Sequence, residues 1–214
     1  MTKSFRRGSG GKNIGKFVSV RTGRTLMTDS VLEMDHLYWL DSDPEVRDFT
    51  THPFTLSYVA DGKLRRYTPD VLVDRGHKRQ IVEVKPAPKA AWRRYVLLFR
   101  TVAPIFHARG FEFVVVTSEW VQQQPHLDTL KILWKYARTK VEPGHQVLCR
   151  EFFKTRETAT LGEITEYFTA RNIAVQIVYS LLFWHVLTFD LAKPLGQSTA
   201  IHLGGETSKA EEVL

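Results

Sequence analysis

The sequence predicts an α/β fold in which helices flank a mixed β-sheet, followed by a small winged helix-turn-helix domain. Two observations lead to this prediction. Helix-like and strand-like segments alternate over the first two thirds of the chain, and three short helices followed by a hairpin come after them. The alternating order is typical of a layered α/β or α+β arrangement. With 43% hydrophobic and 25% charged residues, the composition is globular and argues against long disorder.

The elements of the first part follow from hydrophobic spacing and turn signals. A helix is predicted over residues 30–40, because apolar residues recur at helical spacing and Ser30-x-x-Glu33 matches a capping box. Turn residues at Asp61-Gly62 and Arg75-Gly76 separate strand-like runs. The predicted strands are 54–59, 63–73 and 80–84; a helix follows from about residue 89, then a buried strand at 111–117 and a helix at 127–136.

The pattern changes after the Val-Glu-Pro-Gly segment that ends at Gly144. Helices are predicted at 146–154, 160–168 and 172–185, the second opening with the capping box Thr160-x-x-Glu163. Two short β-like runs follow at 186–189 and 198–202, which completes a winged helix. We therefore expect a flexible basic arm at 1–16, a first domain at 17–142, a winged helix at 143–203 and a disordered tail at 204–214.

Charge and cysteine content exclude several classes of protein. The net charge is +7, but residues 1–150 hold 25 basic and 15 acidic residues, and the remainder hold 5 and 8. The basic part is a candidate for binding nucleic acid. A single cysteine, Cys149, excludes an internal disulfide and a Cys-rich zinc site. No apolar stretch is long enough to span a membrane, and residues 1–16 are basic and Gly-rich without the apolar core of a secretory signal, so we expect a cytoplasmic protein without a membrane partner.

The chemistry is concentrated in the segment YTPDVLVDRGHKRQIVEVK, which runs from Tyr67 to Lys85. Glu83 and Lys85 lie two residues apart in a strand and therefore share a face. If the strands of Asp70 and Glu83 pair through the intervening turn, their carboxylates converge beside the ammonium of Lys85. Such a group suits Mg²⁺, which can activate water against a phosphodiester, and this is the Pro-Asp…Glu-x-Lys pattern of restriction-type nucleases.

Each of these residues also has a purely structural interpretation. Glu83 and Lys85 could form an ordinary ion pair on an exposed strand face. Glu33, the candidate third acid, could serve only as the partner of Ser30 in the capping box. Both interpretations stay open at the level of the residues alone.

The order of segments resembles the TnsA family, the endonuclease subunits of heteromeric bacterial DNA transposases. The resemblance rests on SVLEMDHLYWLDSDPEVRDFTTHPFTLSY, RRYTPDVLV, IVEVKP, GFEFVVVTSEW and LDTLKILWKYA, and it continues into the C-terminal region. It implies a restriction-endonuclease-like domain with Glu33, Asp70, Glu83 and Lys85 as catalytic residues. It also implies Mg²⁺, with Mn²⁺ as a substitute, held by Glu33, Asp70, Glu83 and Val84. His52 departs from the expected pattern, since a Gln is expected before the Pro-Phe pair.

The resemblance implies cleavage at the 5′ ends of a transposon in double-stranded DNA. It implies two partners, a TnsB-like integrase-type transposase that processes the 3′ ends and a TnsC-like AAA+ regulator. Basic residues expected to contact DNA are Arg6, Arg7, Lys12, Lys16, Arg65, Arg66 and Lys89. Two alternatives remain: a restriction, repair or phage nuclease that acts alone, and a non-catalytic adaptor that binds DNA through the winged helix.

Overall fold

The computed structural model describes residues 6–7 and 13–205, with side chains from residue 15 onward. The chain divides into two compact units, residues 1–123 and 124–214. In chain order, the first unit contains β1 (Arg6–Arg7), β2 (Asn13–Val18), β3 (Thr25–Thr28), α1 (Val31–Ser42), β4 (Asp48–Thr51), β5 (Leu56–Ala60), β6 (Lys63–Tyr67), β7 (Val71–Asp74), β8 (Arg79–Lys85), α2 (Ala87–Ala90), α3 (Arg93–His107), β9 (Phe111–Thr117) and α4 (Ser118–Val121).

A four-stranded mixed sheet in the order β4-β7-β8-β9 is the centre of the first unit. β7 pairs antiparallel with both β4 and β8, whereas β8 and β9 are parallel. The parallel pair requires a crossover connection, and α3 lies in that connection. The predicted α/β class with a mixed sheet is confirmed, and it is consistent with the restriction-endonuclease-like fold that the resemblance implies.

The strand predicted over residues 63–73 is two strands in two different sheets, so this prediction was wrong. β6 pairs with β5 in a separate hairpin, whereas β7 belongs to the mixed sheet. The break falls at Thr68-Pro69-Asp70, where proline has no N–H for a ladder hydrogen bond. Asp70 therefore lies directly before a strand rather than inside one.

The four strands β1 to β4 were not predicted, and the first two of them lie in or overlap the segment expected to be a flexible arm. β2 and β3 form an antiparallel hairpin in which Lys16 pairs with Met27. β1 pairs with β2, so part of the segment expected to be a flexible arm is extended structure. The rest of that arm, including Lys12, lies outside the described residues, as does the predicted tail from residue 206 onward. β4 is an edge strand of the mixed sheet.

The core beneath the mixed sheet is largely aromatic. Phe106 and Val102 of α3 are fully buried against Ile81 of β8, together with Leu56 and Tyr67 of the hairpin. Phe106 stacks on Phe113 of β9 with ring centroids 5.9 Å apart. β9 was expected to be fully buried, but its residues are mostly half-buried because it is the edge strand.

The second unit is mainly helical, with a small antiparallel sheet in the order β10-β12-β11. Its elements are α5 (His126–Tyr136), α6 (Pro143–Phe153), β10 (Ala159–Thr160), α7 (Leu161–Thr169), α8 (Gln176–Phe183), β11 (Leu187–Phe189) and β12 (Ala200–Leu203). The capping box of Thr160 and Glu163 is confirmed, since each side chain bonds the other's backbone N–H. Cys149 is buried, and burial raises the pKa of its thiol to about 12.

The predicted domain boundary at residues 142 and 143 differs from the division between the compact units. α5 packs against α8 and belongs to the second unit. The Val-Glu-Pro-Gly segment that suggested the boundary connects two helices of that same unit. None of the helices in the described part of the chain combines the length and apolar character that a bilayer crossing would need.

Candidate active site

Asp70 is fixed to β8 by its side chain rather than by strand pairing. The registered pairs of β7 and β8 end at Val71 and Val82. Beyond that pair, the N–H of Val84 donates to Asp70 Oδ2 at 2.7 Å, so the carboxylate takes the place of a main-chain acceptor. This bond brings Asp70 against the strand that carries Glu83 and Lys85, as the sequence predicted.

Lys85 joins the two carboxylates. Its Nζ lies 3.2 Å from Asp70 Oδ2 and 2.6 Å from Glu83 Oε1, and it also donates to the carbonyl oxygen of Val84 at 3.2 Å. Burial lowers the pKa of Lys85, but the two carboxylates outweigh burial, and the pKa ends above its ordinary value. Lys85 is therefore a cation at neutral pH, placed where negative charge would have to be neutralised.

The side chain of Glu83 is not on an exposed strand face, so Glu83 and Lys85 are not an ordinary surface ion pair. Its exposed fraction is 4%. Burial raises the pKa of Glu83 and the charge of Asp70 raises it further, while Lys85 and the hydroxyl of Tyr67 oppose them without cancelling the rise. A buried acid beside a second acid is costly unless its environment is built to hold it.

Tyr67 also belongs to this site and was not predicted from the sequence. Its hydroxyl donates to Glu83 Oε2 at 2.5 Å, and its side chain is buried at the end of an otherwise exposed strand. Burial and the neighbouring Glu83 raise the pKa of Tyr67 far above the ordinary range, so the phenol stays protonated. The available signal was an aromatic residue at the end of the basic run Lys63–Arg66.

Glu33 serves as a helix cap and also lies within electrostatic reach of Asp70. The N–H of Glu33 donates to Ser30 Oγ at 3.1 Å, Ser30 Oγ donates to Glu33 Oε1 at 2.8 Å, and the N–H of Asp29 donates to Oε2 at 2.8 Å. Burial raises the pKa of Glu33, and the charge of Asp70 contributes in the same direction. Glu33 is therefore a hydrogen-bond partner of the N-cap residue Ser30, and its catalytic role stays a prediction.

His52 lies between these acids. Its backbone has φ 48°, its N–H donates to the carbonyl oxygen of Asp70 at 3.0 Å, and its Nε2 is 3.9 Å from Glu33 Oε2. A positive φ is uncommon outside glycine and is held in place by surrounding contacts. His52 therefore helps to position the loop that carries Asp70.

The residues expected to contact DNA are exposed wherever the structure describes their side chains. Lys16 is exposed on β2, Arg65 and Arg66 are exposed on β6, and Lys89 is exposed on α2. Arg65 approaches Asp61 at 3.4 Å. The side chains of Arg6 and Arg7, and the whole of Lys12, lie outside the described residues.

The carboxylate oxygens of the candidate acids are of the type that Mg²⁺ prefers as ligands. Among the residues that the structure describes, no group of three or more His, Cys, Asp and Glu side chains is already arranged as a metal site. The acids near Asp70 nevertheless supply the hard oxygen ligands that Mg²⁺ prefers. Asp70 Oδ2 accepts both of the hydrogen bonds that its carboxylate receives from described residues, which leaves Oδ1 for a cation.

The comparison with known families agrees with this geometry. Residues 43–118 match the family described as TnsA-like endonuclease N terminal. This segment is therefore similar to a TnsA-like endonuclease domain. The match extends from the end of α1 to the start of α4 and includes Asp70, Glu83 and Lys85, whereas Glu33 precedes it. A search of curated proteins finds no significant match to the chain. The matched segment therefore includes two of the three candidate acids and the lysine.

Proposed function

We propose that this protein is the Mg²⁺-dependent DNA endonuclease subunit of a heteromeric cut-and-paste transposase and cleaves the 5′ ends of the transposon. The observation that carries the proposal is the ammonium of Lys85, which lies within hydrogen-bond distance of both Asp70 and Glu83 inside the TnsA-like domain. A lysine placed beside paired acids suits the hydrolysis of a phosphodiester, because the reaction develops negative charge that a cation can stabilise.

The ligands of the metal would be Asp70, Glu83, Glu33 and the carbonyl oxygen of Val84. When bound, Mg²⁺ polarises the phosphodiester and lowers the pKa of an attacking water. The chain's own groups hold these ligands in place. The N–H of Val84 orients Asp70, the hydroxyl of Tyr67 orients Glu83, and Ser30 orients Glu33. Lys85 offers its ammonium to the phosphate oxygens of the bound strand.

The second unit supports a role in binding DNA or protein. The order α6-β10-α7-α8-β11-β12 with a three-stranded antiparallel sheet is the order expected of a winged helix. An excess of acid after residue 150 favours a protein contact there, in keeping with a TnsC-like AAA+ regulator. Joining the 3′ ends would fall to a TnsB-like integrase-type transposase, and the assembly would act in the cytoplasm on double-stranded DNA.

The proposal is tested by metal-dependent cleavage of DNA carrying transposon ends, with and without a TnsB-like partner. Asp70→Ala is expected to abolish cleavage and to leave DNA binding within about twofold, because removal of one carboxylate affects the metal site and not the basic surface. Lys85→Ala is expected to lower the rate more than the metal affinity. Glu119→Gln, an exposed acid in the same unit, is the matched control and should cleave normally.

The outcome also separates the alternatives. Cleavage by the protein alone, unaffected by the partner, would favour a nuclease that acts independently. DNA binding that persists without cleavage under every metal and partner condition would favour the adaptor. Strand cutting by Asp70→Ala in the assembled complex would refute the assignment of Asp70.

A further inference from the structure

A continuous column of aromatic rings leads from the protein core to the surface beside Lys85. Phe99 packs on Phe113 with centroids 5.7 Å apart, Tyr95 stacks on Phe99 at 5.9 Å, and Trp92 stacks on Tyr95 at 6.3 Å. We call Trp92, Tyr95 and Phe99 the aromatic stack. Its outer end, Trp92, is 43% exposed, so the stack continues from the core to a ring that solvent reaches.

Two cations, Arg94 and Lys89, lie against the outer part of this stack. The guanidinium of Arg94 lies 4.6 Å from the ring of Trp92 and 4.8 Å from that of Tyr95, and Lys89 Nζ is 5.8 Å from Trp92. Within the described residues, Lys89, Arg93 and Arg94 form no ion pair. An arginine that uses its flat face on aromatic rings keeps its N–H edge for a phosphate.

The aromatic stack borders a groove and reaches the catalytic lysine. Lys85 Nζ is 5.8 Å from the ring of Tyr95. A cavity of about 490 Å³ lies between the β5–β6 hairpin and α3, lined among others by Tyr58, Arg65, Arg94 and Tyr95. The acid in its lining, Asp61, is already approached by Arg65. The groove therefore presents two arginines and two tyrosines beside aliphatic side chains of α3, and through Tyr95 it comes close to Lys85, the group expected to contact the scissile phosphate.

We propose that the aromatic stack and this groove hold unpaired nucleotides next to the scissile phosphate, so that the enzyme acts on a locally opened DNA strand. This inference rests on the proposed nuclease function and extends it to the form of the substrate. Aromatic rings with adjacent cations bind unpaired strands, because only an unpaired base exposes its face for stacking. An intact duplex would use the cations and leave the exposed ring of Trp92 without a role.

The test compares the binding of two fluorescent probes to the full-length protein by anisotropy in EDTA. One probe is a single-stranded DNA of about 12 nucleotides and the other is a duplex of the same length. Trp92→Leu is expected to weaken single-strand binding about tenfold, since stacking is worth roughly 1–3 kcal/mol per base, and to change duplex binding less than about twofold. Trp92→Phe, which keeps an aromatic ring, should retain most of the wild-type affinity for the single-stranded probe.

Trp120→Leu is the matched control, because Trp120 is 46% exposed in the same unit and lies outside the aromatic stack. Arg94→Gln is an independent second variant and is expected to weaken single-strand binding in the same direction. Unchanged single-strand affinity in both variants, or equal losses for the two probes, would overturn the proposal. Because the assay excludes metal, a protein that binds as expected but never cleaves would refute the proposed nuclease function and not the strand preference.

Discussion

The hydrogen bond from Tyr67 to Glu83 allows a quantitative prediction about a residue that the sequence did not reveal. Tyr67→Phe removes one hydroxyl and keeps the ring, which contacts Phe106 and Phe113 at centroid distances of 6.0 and 6.4 Å. A hydrogen bond to a charged group is worth about 1.5–3 kcal/mol, compared with about 0.5–1.5 kcal/mol for a neutral pair. Since Glu83 is buried, water cannot replace the lost donor.

The loss of unfolding free energy caused by Tyr67→Phe should therefore depend on pH. The hydroxyl lowers the pKa of Glu83, so its removal raises that pKa further. Well above the raised pKa of Glu83, where the carboxylate is ionised, we expect the free energy of unfolding to fall by about 2 kcal/mol. Below the raised pKa of Glu83 the carboxyl is neutral, and the loss should shrink to about 1 kcal/mol. The metal-dependent cleavage rate of Tyr67→Phe should also reach its maximum at a higher pH than the rate of the wild type.

Urea unfolding at several pH values measures this difference. Tyr58→Phe is the matched control, since the hydroxyl of Tyr58 makes no hydrogen bond to the described residues, and it should change stability by less than about 0.5 kcal/mol. A loss for Tyr67→Phe that is the same at every pH, or no loss at all, would refute the role assigned to this hydroxyl.

Two further predictions concern the core and the acid on α1. Phe106→Ala should lower the free energy of unfolding by about 3–5 kcal/mol in urea, because Phe106 is fully buried in the aromatic core; a loss below about 1 kcal/mol would contradict that packing. Glu33 has a pKa raised above its ordinary 4.5, so its contribution to stability is present below that value and is lost as pH rises through the raised pKa. The stability of wild type relative to Glu33→Gln should therefore fall in thermal unfolding as the pH rises from the ordinary pKa of a glutamate through the raised pKa of Glu33, and a difference that is constant with pH would refute the perturbed environment.

Local patterns in the sequence were enough to predict most elements and the convergence of Asp70 with Glu83 and Lys85. The capping box at Thr160, the N-cap at Ser30 and the turn at Asp61-Gly62 are short-range signals, and each occurs where the sequence placed it, although at Ser30 the Glu33 carboxylate accepts from the N–H of Asp29 and the reciprocal half of the capping box is not formed. The paired carboxylates followed from strand periodicity and a single connecting turn. These features depend on residues close in the sequence, which is why a single sequence reveals them.

The features that were missed depend on contacts between distant segments. Tyr67 meets Glu83 only because the β5–β6 hairpin leaves the mixed sheet at Pro69, and no local pattern distinguishes that exit from a continuous strand. The packing of α5 on α8 likewise places that helix in the second unit, whereas the Val-Glu-Pro-Gly segment led to a predicted boundary after it. The partial burial of β9 reflects its edge position, which the apolar run FEFVVVT does not encode.

The central claim, that Asp70 and its neighbours hold a divalent cation for DNA cleavage, is tested most directly by thermal unfolding with and without about 10 mM Mg²⁺ or Mn²⁺. A site with a Kd near 1 mM should stabilise the wild type by roughly 1.4 kcal/mol, or about 3–6 °C. We expect this shift in the wild type and in Glu119→Gln, and its loss in Asp70→Ala. Equal shifts in the wild type and Asp70→Ala, or none in either, would contradict the metal site.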